Sequence, residues 1–336
     1  MNTTMPVPDL PLVVRLSSLG DVVLTTGPIA HWAVCMGKPF VVVTKQAFAP
    51  IFKDHPGVAR IVPVTATDLT LAGWLRLCHR LRLAHPRSPL IDLHGTVRTR
   101  LLSARWRGDV KRSPKYTFSR RLLQYRLGAP SRYRRLTRLT IPQRYAQALH
   151  DHPPAPELLR PQIHLTGAEL KAADRLVPHA GRTPVVALHP YATHPDKAWP
   201  LTHWHQLTRL LNQQGVQWRV LGRAERPLFP GDSRDLTNQT DLRTSAALIS
   251  RCTALVSGDS GPMHLGTAVG TPVVGLFGPT TRHWGFAPSG FRDQILEIPL
   301  SCRPCSLHGQ RPCPHDRKCL RDISSHRVAE ALTALL

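Results

Sequence analysis

Residues 256–265 place a carboxylate, a hydroxyl and an imidazole within a turn of small residues. The apolar run before this turn predicts a buried strand, and the residues from Met263 onward predict a helix. Ser260 and Gly261 therefore lie where the free N–H groups of a helix start can bind a phosphate. Asp259 would repel a phosphate but can accept hydrogen bonds from sugar hydroxyls. The stretch predicts a binding site for a polyoxygenated ligand.

A second loop of this kind follows the next apolar run. Residues 272–277 predict a strand that ends in Gly278-Pro279-Thr280-Thr281, a sequence with exposed amides and hydroxyls. Open parallel sheets bind their ligands at the carboxyl ends of their strands. Two neighbouring strands that end in such loops favour a ligand site at that edge.

Asp21 follows the first predicted strand, directly after Gly20, which permits a tight turn or the close approach of a ligand. An acid at the start of a helix is electrostatically stabilised there, so a helix cap is one interpretation and a catalytic carboxylate is the other. The turn matches neither the Gly-x-Gly-x-x-Gly dinucleotide pattern nor a Walker phosphate loop. This mismatch argues against a dehydrogenase and an ATPase.

The elements that position these residues alternate between short apolar strands and helical segments in both halves of the chain. A length of 336 residues exceeds what one core usually supports, so we expect two domains. The proline-rich residues 152–156 suit a linker. The predicted fold is α/β, with two doubly wound Rossmann-like domains, 1–155 and 156–336, facing a central cleft.

The expected location is the cytoplasm. No apolar run approaches the roughly 20 residues of a membrane span, and the first eleven residues lack the basic and apolar regions of a signal peptide.

The chain carries a formal charge of +23, and the excess is concentrated in its first half. Residues 1–160 have an excess of 17 positive charges and residues 161–336 an excess of 6. Within the first half, residues 76–144 contain 19 basic residues and two acids. Nucleic acid, anionic lipid and a phosphorylated saccharide are all partners that this charge would suit. A compositional preference for Arg accounts for part of the total, but less readily for the asymmetry.

Five segments, in order along nearly the whole chain, resemble the ADP-heptose:lipopolysaccharide heptosyltransferases of glycosyltransferase family 9. The matching segments are residues 15–25, 91–100, 188–190 with 196–200, 258–265 and 276–280. The resemblance implies a GT-B fold, an acceptor held by the N-terminal domain, a nucleotide-sugar held by the C-terminal domain, and inverting transfer without a required metal.

The resemblance also assigns catalytic roles. Asp21 matches the family's catalytic acid, which as a base would remove a proton from the acceptor hydroxyl. Lys197 matches the lysine that stabilises the departing diphosphate, and Thr193 is a possible hydroxyl donor beside it. Without its motif, Lys197 would be interpreted as a solvated surface charge.

Most of the donor and acceptor contacts lie in the same motifs, whereas Glu225 and Arg120 lie outside them and are predicted from their position and chemistry. The donor would be bound by Asp259 through its sugar hydroxyls, and the diphosphate by Ser260, Gly261 and His264. Glu225, four residues after Leu221, would accept from the ribose hydroxyls, although residues 226–230 depart from the acidic helix start of the family. The predicted acceptor-binding residues are Ser18, Gly20, Arg98, Arg100 and Arg120, the arginines because guanidinium binds phosphate and carboxylate bidentately.

The sequence therefore predicts an inverting transferase that moves a heptose from ADP-heptose to the lipopolysaccharide inner core. We expect a monomer at the cytoplasmic face of the inner membrane, with no nucleic acid partner. The alternatives are a family 9 transferase with another nucleotide-sugar or acceptor, and, in a different class, a basic nucleic-acid-binding protein. No helix-turn-helix, RNP or zinc-finger signature supports the last.

Seven cysteines include one compact group with zinc-like spacing: Cys302, Cys305, Cys313 and Cys319, with His308 and His315 between them. We expect no required cofactor, and a structural zinc is the minor hypothesis for this group. The remaining cysteines, Cys35, Cys78 and Cys252, lie in apolar segments and are predicted to be small core residues.

Overall fold

The computed structural model describes residues 9–116, 119, 122, 137–178, 183–306, 309 and 312–336. The chain divides into two compact units. Unit 1 consists of Met1–Lys115 with Pro142–Leu159, and unit 2 of Tyr116–Ile141 with Arg160–Leu336.

Unit 1 is built on a parallel five-stranded sheet. Its strands are β1 (Leu12–Val14), β2 (Phe40–Lys45), β3 (Val58–Val64), β4 (Leu90–Asp92) and β5 (Val110–Arg112). Their order is β3-β2-β1-β4-β5, and Val13 lies between Val42 and Ile91. The three central strands are almost wholly buried, as apolar strands covered on both faces must be. All five strands run in the same direction, so their carboxyl ends share one edge.

The helices that connect these strands begin at polar caps and present apolar faces to the sheet. They are α1 (Leu19–Met36), α2 (Leu71–Ala84) and α3 (Val97–Ala104), followed by α4 (Ile141–Ala146) after the last strand. Thr70 caps α2 by accepting from the Gly73 N–H. Leu77 and Leu81 of α2 are buried, four residues apart on one face of the helix.

Unit 2 repeats the design. Its strands are β6 (Val185–His189), β7 (Gln217–Val220), β8 (Ala254–Gly258), β9 (Val273–Phe277) and β10 (Gln294–Glu297). The order is β10-β9-β8-β6-β7, again with parallel pairing throughout. Strands β8 and β6 are neighbours, so the loops that follow them lie at the same edge of the sheet.

The helices of unit 2 cover a core rich in tryptophan. They are α5 (Gly167–Leu176), α6 (Leu201–Gln213), α7 (Leu242–Ser250), α8 (Gly261–Ala268), α9 (Lys318–Arg321) and α10 (Ser325–Thr333). Trp199 and Trp204 pack edge to face with ring centroids 4.9 Å apart, a preferred aromatic geometry. The Trp199 indole also donates to the Ile323 carbonyl at 2.9 Å, which ties the chain end to this core.

The alternating βαβ pattern predicted from the sequence is confirmed in both units. The sequence reasoning did not identify the edge strands β5 and β10, which are short and only partly buried. Cys78 and Cys252 are buried as predicted, but the prediction for Cys35 was wrong, because it lies on an exposed face near the end of α1. Among the described residues, no helix has the length and apolar character needed to span a membrane.

Candidate active site

Asp21 lies in the first turn of α1, at the carboxyl edge of the unit 1 sheet. Ser18 is the N-cap, and its backbone N–H and hydroxyl both donate to Asp21 Oδ2, at 3.2 and 2.9 Å. The two residues form a capping box, in which the carboxylate reaches back to the cap residue. Asp21 therefore does cap the start of the helix, as one interpretation predicted, but its side chain also makes other contacts.

The other carboxylate oxygen of Asp21 is held by two residues from outside the helix. The Tyr145 hydroxyl donates to Asp21 Oδ1 at 2.7 Å, and Arg15 Nη2 lies 2.7 Å from the same atom. Arg15 also donates to the Leu93 carbonyl at 2.6 Å, and its guanidinium lies 5.2 Å from the centroid of the Tyr145 ring. A cap alone needs neither partner, so Asp21 is fixed in position from both sides.

These partners set the ionisation of Asp21. Burial raises the pKa of the carboxyl, but the positive charge of Arg15 and the hydrogen bonds from Tyr145 and Ser18 outweigh it, so the pKa is held below its usual value. Asp21 is therefore ionised at neutral pH. A fixed, ionised carboxylate can accept a proton from a hydroxyl that is brought within hydrogen-bonding distance.

The predicted acceptor arginines fall in different places. Arg98 lies at the start of α3, where it donates to the Leu69 carbonyl at 2.9 Å and lies over the Trp74 ring. Arg100 is exposed and close enough to Lys115 to lower the pKa of that lysine, after the larger effects of burial and of other charges. Arg120 lies outside the described residues. Gly20 is buried within the first turn of α1, beside the exposed Ser18.

In unit 2, the predicted catalytic lysine is paired with the predicted sugar-binding acid. Lys197 ends a short 3₁₀ helix, Pro195–Lys197, after β6. Its Nζ lies 2.6 Å from Asp259 Oδ2 and donates to the Asp259 carbonyl at 2.9 Å. Thr280, in the loop after β9, donates to the same Oδ2 at 2.7 Å. The loops after β8 and β9, which the sequence predicts to bind a ligand, are therefore joined by the hydrogen bond from Thr280 to the Asp259 carboxylate.

Ser260 and Gly261 lie where the sequence places them, at the start of α8. Ser260 is the N-cap residue, but its hydroxyl does not cap the helix; it lies 3.1 Å from the Ser257 hydroxyl and 3.4 Å from His189 Nδ1. Burial lowers the pKa of His189 to about 4, so this imidazole is neutral at neutral pH. His264 is buried in α8, and its ring centroid lies 6.2 Å from that of Phe286.

The two remaining residues that are predicted to bind the nucleotide-sugar lie on loops. Thr193 is exposed between β6 and Lys197, and Glu225 is exposed after β7. Asn238 holds the Glu225 loop through both sides of its amide: its Nδ2 donates to the Ala224 carbonyl at 2.7 Å, and its Oδ1 accepts from the Ala224 N–H at 3.2 Å. Neither Thr193 nor Glu225 is brought against Lys197 or Asp259 by a hydrogen bond within the described residues.

The cysteine-rich segment packs against the loop that carries Thr280. The Cys305 N–H donates to the Pro279 carbonyl at 3.2 Å, and Arg303 donates to the Thr280 carbonyl at 2.8 Å. A cavity of about 210 Å³ is lined in part by Cys305, Cys313 and Cys319. Burial raises the pKa of the Cys319 thiol to about 11. In the described part of the chain, no three or more His, Cys, Asp or Glu side chains are arranged to hold a metal ion.

Sequence reasoning missed the partners that fix the predicted residues. Tyr145 lies 124 positions after Asp21 and carries no local signal of its role. The pairing of Arg15 with Asp21 was equally hidden, although both lie in one matched segment. Arg303, which anchors the Thr280 loop and pairs with Glu297 at 2.9 Å, lies in a segment interpreted only through its cysteines.

Residues 90–313 match the model of glycosyltransferase family 9 (heptosyltransferase). The match covers more than half of the chain, including β4, the Lys197 loop and the whole sheet of unit 2. The chain belongs to glycosyltransferase family 9. The protein is therefore a glycosyltransferase, as the sequence motifs predicted.

One relative can be compared with this protein over nearly the whole chain. It is 28% identical to lipopolysaccharide heptosyltransferase 1 of Pseudomonas aeruginosa, with 97% of each chain covered. The fold is similar to that of the family 9 glycosyltransferase of Veillonella parvula (TM-score 0.74, 18% identity, 96% of each chain covered). It is also similar to ADP-heptose lps heptosyltransferase II of E. coli (TM-score 0.73, 20% identity, 97% of this chain and 98% of that chain). The predicted GT-B fold class, with two Rossmann-like domains, is confirmed.

Proposed function

We propose that this family 9 glycosyltransferase transfers a heptose from ADP-heptose to the inner core of lipopolysaccharide, with inversion at the anomeric carbon. The observation that carries the proposal is the pair of strand-edge sites: an ionised, doubly anchored Asp21 in unit 1 and the Lys197–Asp259 pair at the start of α8 in unit 2. Full-length similarity to a lipopolysaccharide heptosyltransferase supports the choice of sugar and acceptor.

Asp21 acts as the general base in the proposed reaction. As the acceptor oxygen attacks the anomeric carbon, its proton passes to the Asp21 carboxylate, and the electron pair of the breaking glycosidic bond leaves with ADP. Arg15 and Tyr145 keep the carboxylate ionised and oriented before the reaction. Because the base already points at a fixed position, little reorganisation is needed in the transition state.

Lys197 acts on the leaving group. The diphosphate gains negative charge as the anomeric bond breaks, and a cation held at that place stabilises the transition state more than the ground state. Asp259 holds the ammonium group before the donor arrives, and the Thr280 hydroxyl donates to the same Asp259 oxygen and so fixes the carboxylate. The N–H groups at the start of α8, which the Ser260 hydroxyl leaves uncapped, complete the diphosphate site with Gly261.

The proposal also assigns residues of unit 2 to the heptose, the ribose and the diphosphate of the nucleotide-sugar. Asp259 retains Oδ1 for a heptose hydroxyl while Oδ2 holds Lys197. The exposed Glu225 is available for the ribose and Thr193 for the diphosphate, with the buried His264 behind the helix start. The transfer is proposed to need no metal, since Lys197 and the helix dipole supply the positive field.

The protein is further proposed to act as a monomer in the cytoplasm, at the surface of the inner membrane. The excess of basic residues in the first half supports contact with an anionic lipid surface. Sedimentation with vesicles that contain or lack anionic lipid, followed by light scattering of the unbound protein, tests both statements.

The experiment that tests the function offers one acceptor and a panel of donors. Purified protein is incubated with heptose-deficient inner core and with ADP-heptose, ADP-glucose, GDP-mannose or UDP-glucose, and product mass and nucleotide release are measured. Transfer from ADP-heptose alone is the expected result. Transfer from another nucleotide-sugar would instead establish a family 9 enzyme with a different donor, and binding of oligonucleotides without any transfer would refute the proposal.

A further inference from the structure

His189 and Ser257 lie side by side at the carboxyl ends of two neighbouring strands. His189 is the last residue of β6, and it pairs in register with Ser257 of β8. Both side chains are buried. His189 falls within one of the segments that resemble the family, but the sequence analysis gave neither residue a role. Ser260, the N-cap of α8, follows Ser257 by three residues, so the pair lies at the base of the proposed diphosphate site.

The two side chains surround the hydroxyl of Ser260. Its Oγ lies 3.4 Å from His189 Nδ1 and 3.1 Å from Ser257 Oγ, and it donates to the Gly258 carbonyl at 3.2 Å. Ser257 Oγ lies 3.4 Å from the same His189 Nδ1 and donates to the same carbonyl at 3.0 Å. Within the described residues, the partners of the Ser260 hydroxyl therefore belong to β6 and β8, and none belongs to α8.

This arrangement is unusual for a serine at the start of a helix. A serine N-cap ordinarily accepts from the N–H of the second or third helical residue. Pro262 is the second residue of α8 and has no N–H, so the hydroxyl would have to cap the N–H of Met263. The Ser260 hydroxyl makes no such bond. The first N–H groups of α8 are therefore not taken by the side chain that would compete most directly for them.

The imidazole of His189 is itself fixed in place. The Tyr191 ring packs against it edge to face, with ring centroids 6.0 Å apart. The backbone of Gly222, which has a φ of +133°, also approaches the ring, and a Cβ at this position would lie 2.9 Å from His189 Cδ2 and 3.0 Å from Nε2. Only glycine leaves room for the ring there. Since burial lowers the pKa of His189 to about 4, the ring is neutral at pH 7 and acts through hydrogen bonding rather than through charge.

We propose that His189 and Ser257 are positioning residues for the diphosphate of the donor: they hold the Ser260 hydroxyl against the strands and so keep it from capping α8. The inference rests on the proposed transferase function and names two residues that prepare its donor site. A bound diphosphate then meets the N–H groups of the helix start without first displacing a side chain. Without the two partners, the hydroxyl turns to the Met263 N–H, and the diphosphate must break that bond in order to bind.

Isothermal titration calorimetry with ADP tests the inference on the full-length protein. His189→Leu and Ser257→Ala each remove one partner of the Ser260 hydroxyl, and both should weaken ADP binding. The stability of a serine cap sets the loss in the double variant at roughly three- to thirtyfold in the dissociation constant. Adenosine, which lacks the diphosphate, should bind the variants as it binds the parent.

Two further variants serve as controls. Ser245→Ala removes a buried hydroxyl of the same kind, which lies 2.8 Å from the Thr240 hydroxyl but belongs to α7, and this variant should bind ADP like the parent. His189→Asn keeps an amide near the position of Nδ1 and should recover most of the affinity that His189→Leu loses.

A double-mutant cycle separates positioning from a general loss of structure. In a Ser260→Ala background no hydroxyl is left to cap the helix, so adding His189→Leu should lower the ADP affinity no further. Ser257→Ala gives the same cycle if His189→Leu does not fold. Additive losses, an adenosine affinity that falls in parallel with that of ADP, or His189→Leu and Ser257→Ala proteins that bind ADP like Ser245→Ala would overturn the inference.

Failure of the proposed function would be seen separately. A parent protein that binds ADP but transfers no heptose would refute that function, and the ADP cycle would still decide the roles of His189 and Ser257. If the parent binds no ADP, the proposed donor is wrong, and inorganic pyrophosphate becomes the probe for the same variants. Pyrophosphate binding that is equal in the parent and in the variants, or that is absent from all of them, would overturn the inference.

Discussion

Asp21→Asn is the substitution that best separates the two roles of this residue. Asparagine has the size of aspartate and keeps a side-chain oxygen that can accept from Ser18 in the capping box, so the turn at Ser18 should form in the variant. It removes the negative charge that pairs with Arg15 and the basic oxygen that would take the acceptor proton. If Asp21 is only a cap, activity should survive, and if it is the base, activity should be lost.

The structure gives the expected magnitudes. Loss of a general base lowers kcat by roughly 10²- to 10⁴-fold. The side chains of Arg15 and Asp21 are only 12% and 15% exposed, so the arginine becomes a largely buried, unpaired charge. We expect the free energy of unfolding to fall by about 1 to 3 kcal/mol, less than for a fully buried pair. The folded pKa of Asp21 lies below its usual value, so the stability that the parent gains from this group is present at neutral pH and is lost as the pH falls through the folded pKa.

The assay measures kcat for heptose transfer, the dissociation constant for ADP-heptose, and unfolding in urea at pH 7 and pH 3. Ser18→Ala is the matched control, because it removes the cap hydroxyl and one hydrogen bond to Oδ2 while keeping the carboxylate. This control should lose about 1 kcal/mol of stability and keep a rate within an order of magnitude of the parent. Donor affinity should be unchanged in both variants, because the proposed donor site lies in unit 2.

The result that would refute the reasoning is an Asp21→Asn enzyme that folds, binds ADP-heptose and turns over within a few-fold of the parent. The base would then be another residue, and the contacts of Arg15 and Tyr145 would serve only the fold. A stability difference between parent and variant that does not shrink at pH 3 would contradict the ionisation argument separately.

Three further predictions address the partners of the catalytic residues and the cysteine group. Tyr145→Phe should lower kcat by roughly tenfold, because one hydrogen bond to the charged Asp21 is lost. Since that hydrogen bond lowers the pKa of Asp21, the acid limb of the pH–rate profile should move to higher pH. An unchanged acid limb would show that Tyr145 does not tune the pKa of the base. Lys197→Ala should lower kcat by roughly a hundredfold and Lys197→Arg should restore part of it, whereas equal losses would argue against stabilisation of the diphosphate by charge. Chelators should leave turnover unchanged. Any zinc held by the cysteines should be present at about one equivalent per chain, and its removal should lower the melting temperature. A rate that is abolished by a chelator and restored by a divalent ion would contradict the metal-free mechanism.

Local sequence determined most of the architecture and the identity of the key residues. Short apolar runs that alternate with helical segments are typical of buried strands in an α/β fold, so this alternation predicted both parallel sheets. Asp259 and Ser260 were identified from the strand-to-helix turn that carries them, whereas Asp21 and Lys197 received their catalytic roles from the family resemblance of their segments. The short, half-exposed strands β5 and β10 were missed because they lack a continuous apolar run.

Tertiary structure alone decided which of these residues act together. Tyr145 reaches Asp21 across 124 positions of sequence, and Lys197 reaches Asp259 across 62. Neither pairing follows from propensity or spacing, since each depends on which strands become neighbours and on where their carboxyl ends meet. For the same reason, the sequence showed that the first half of the chain is basic, but only the strand order β3-β2-β1-β4-β5 gathers Lys45, Arg15, His94 and Lys115 at one edge beside the carboxylate.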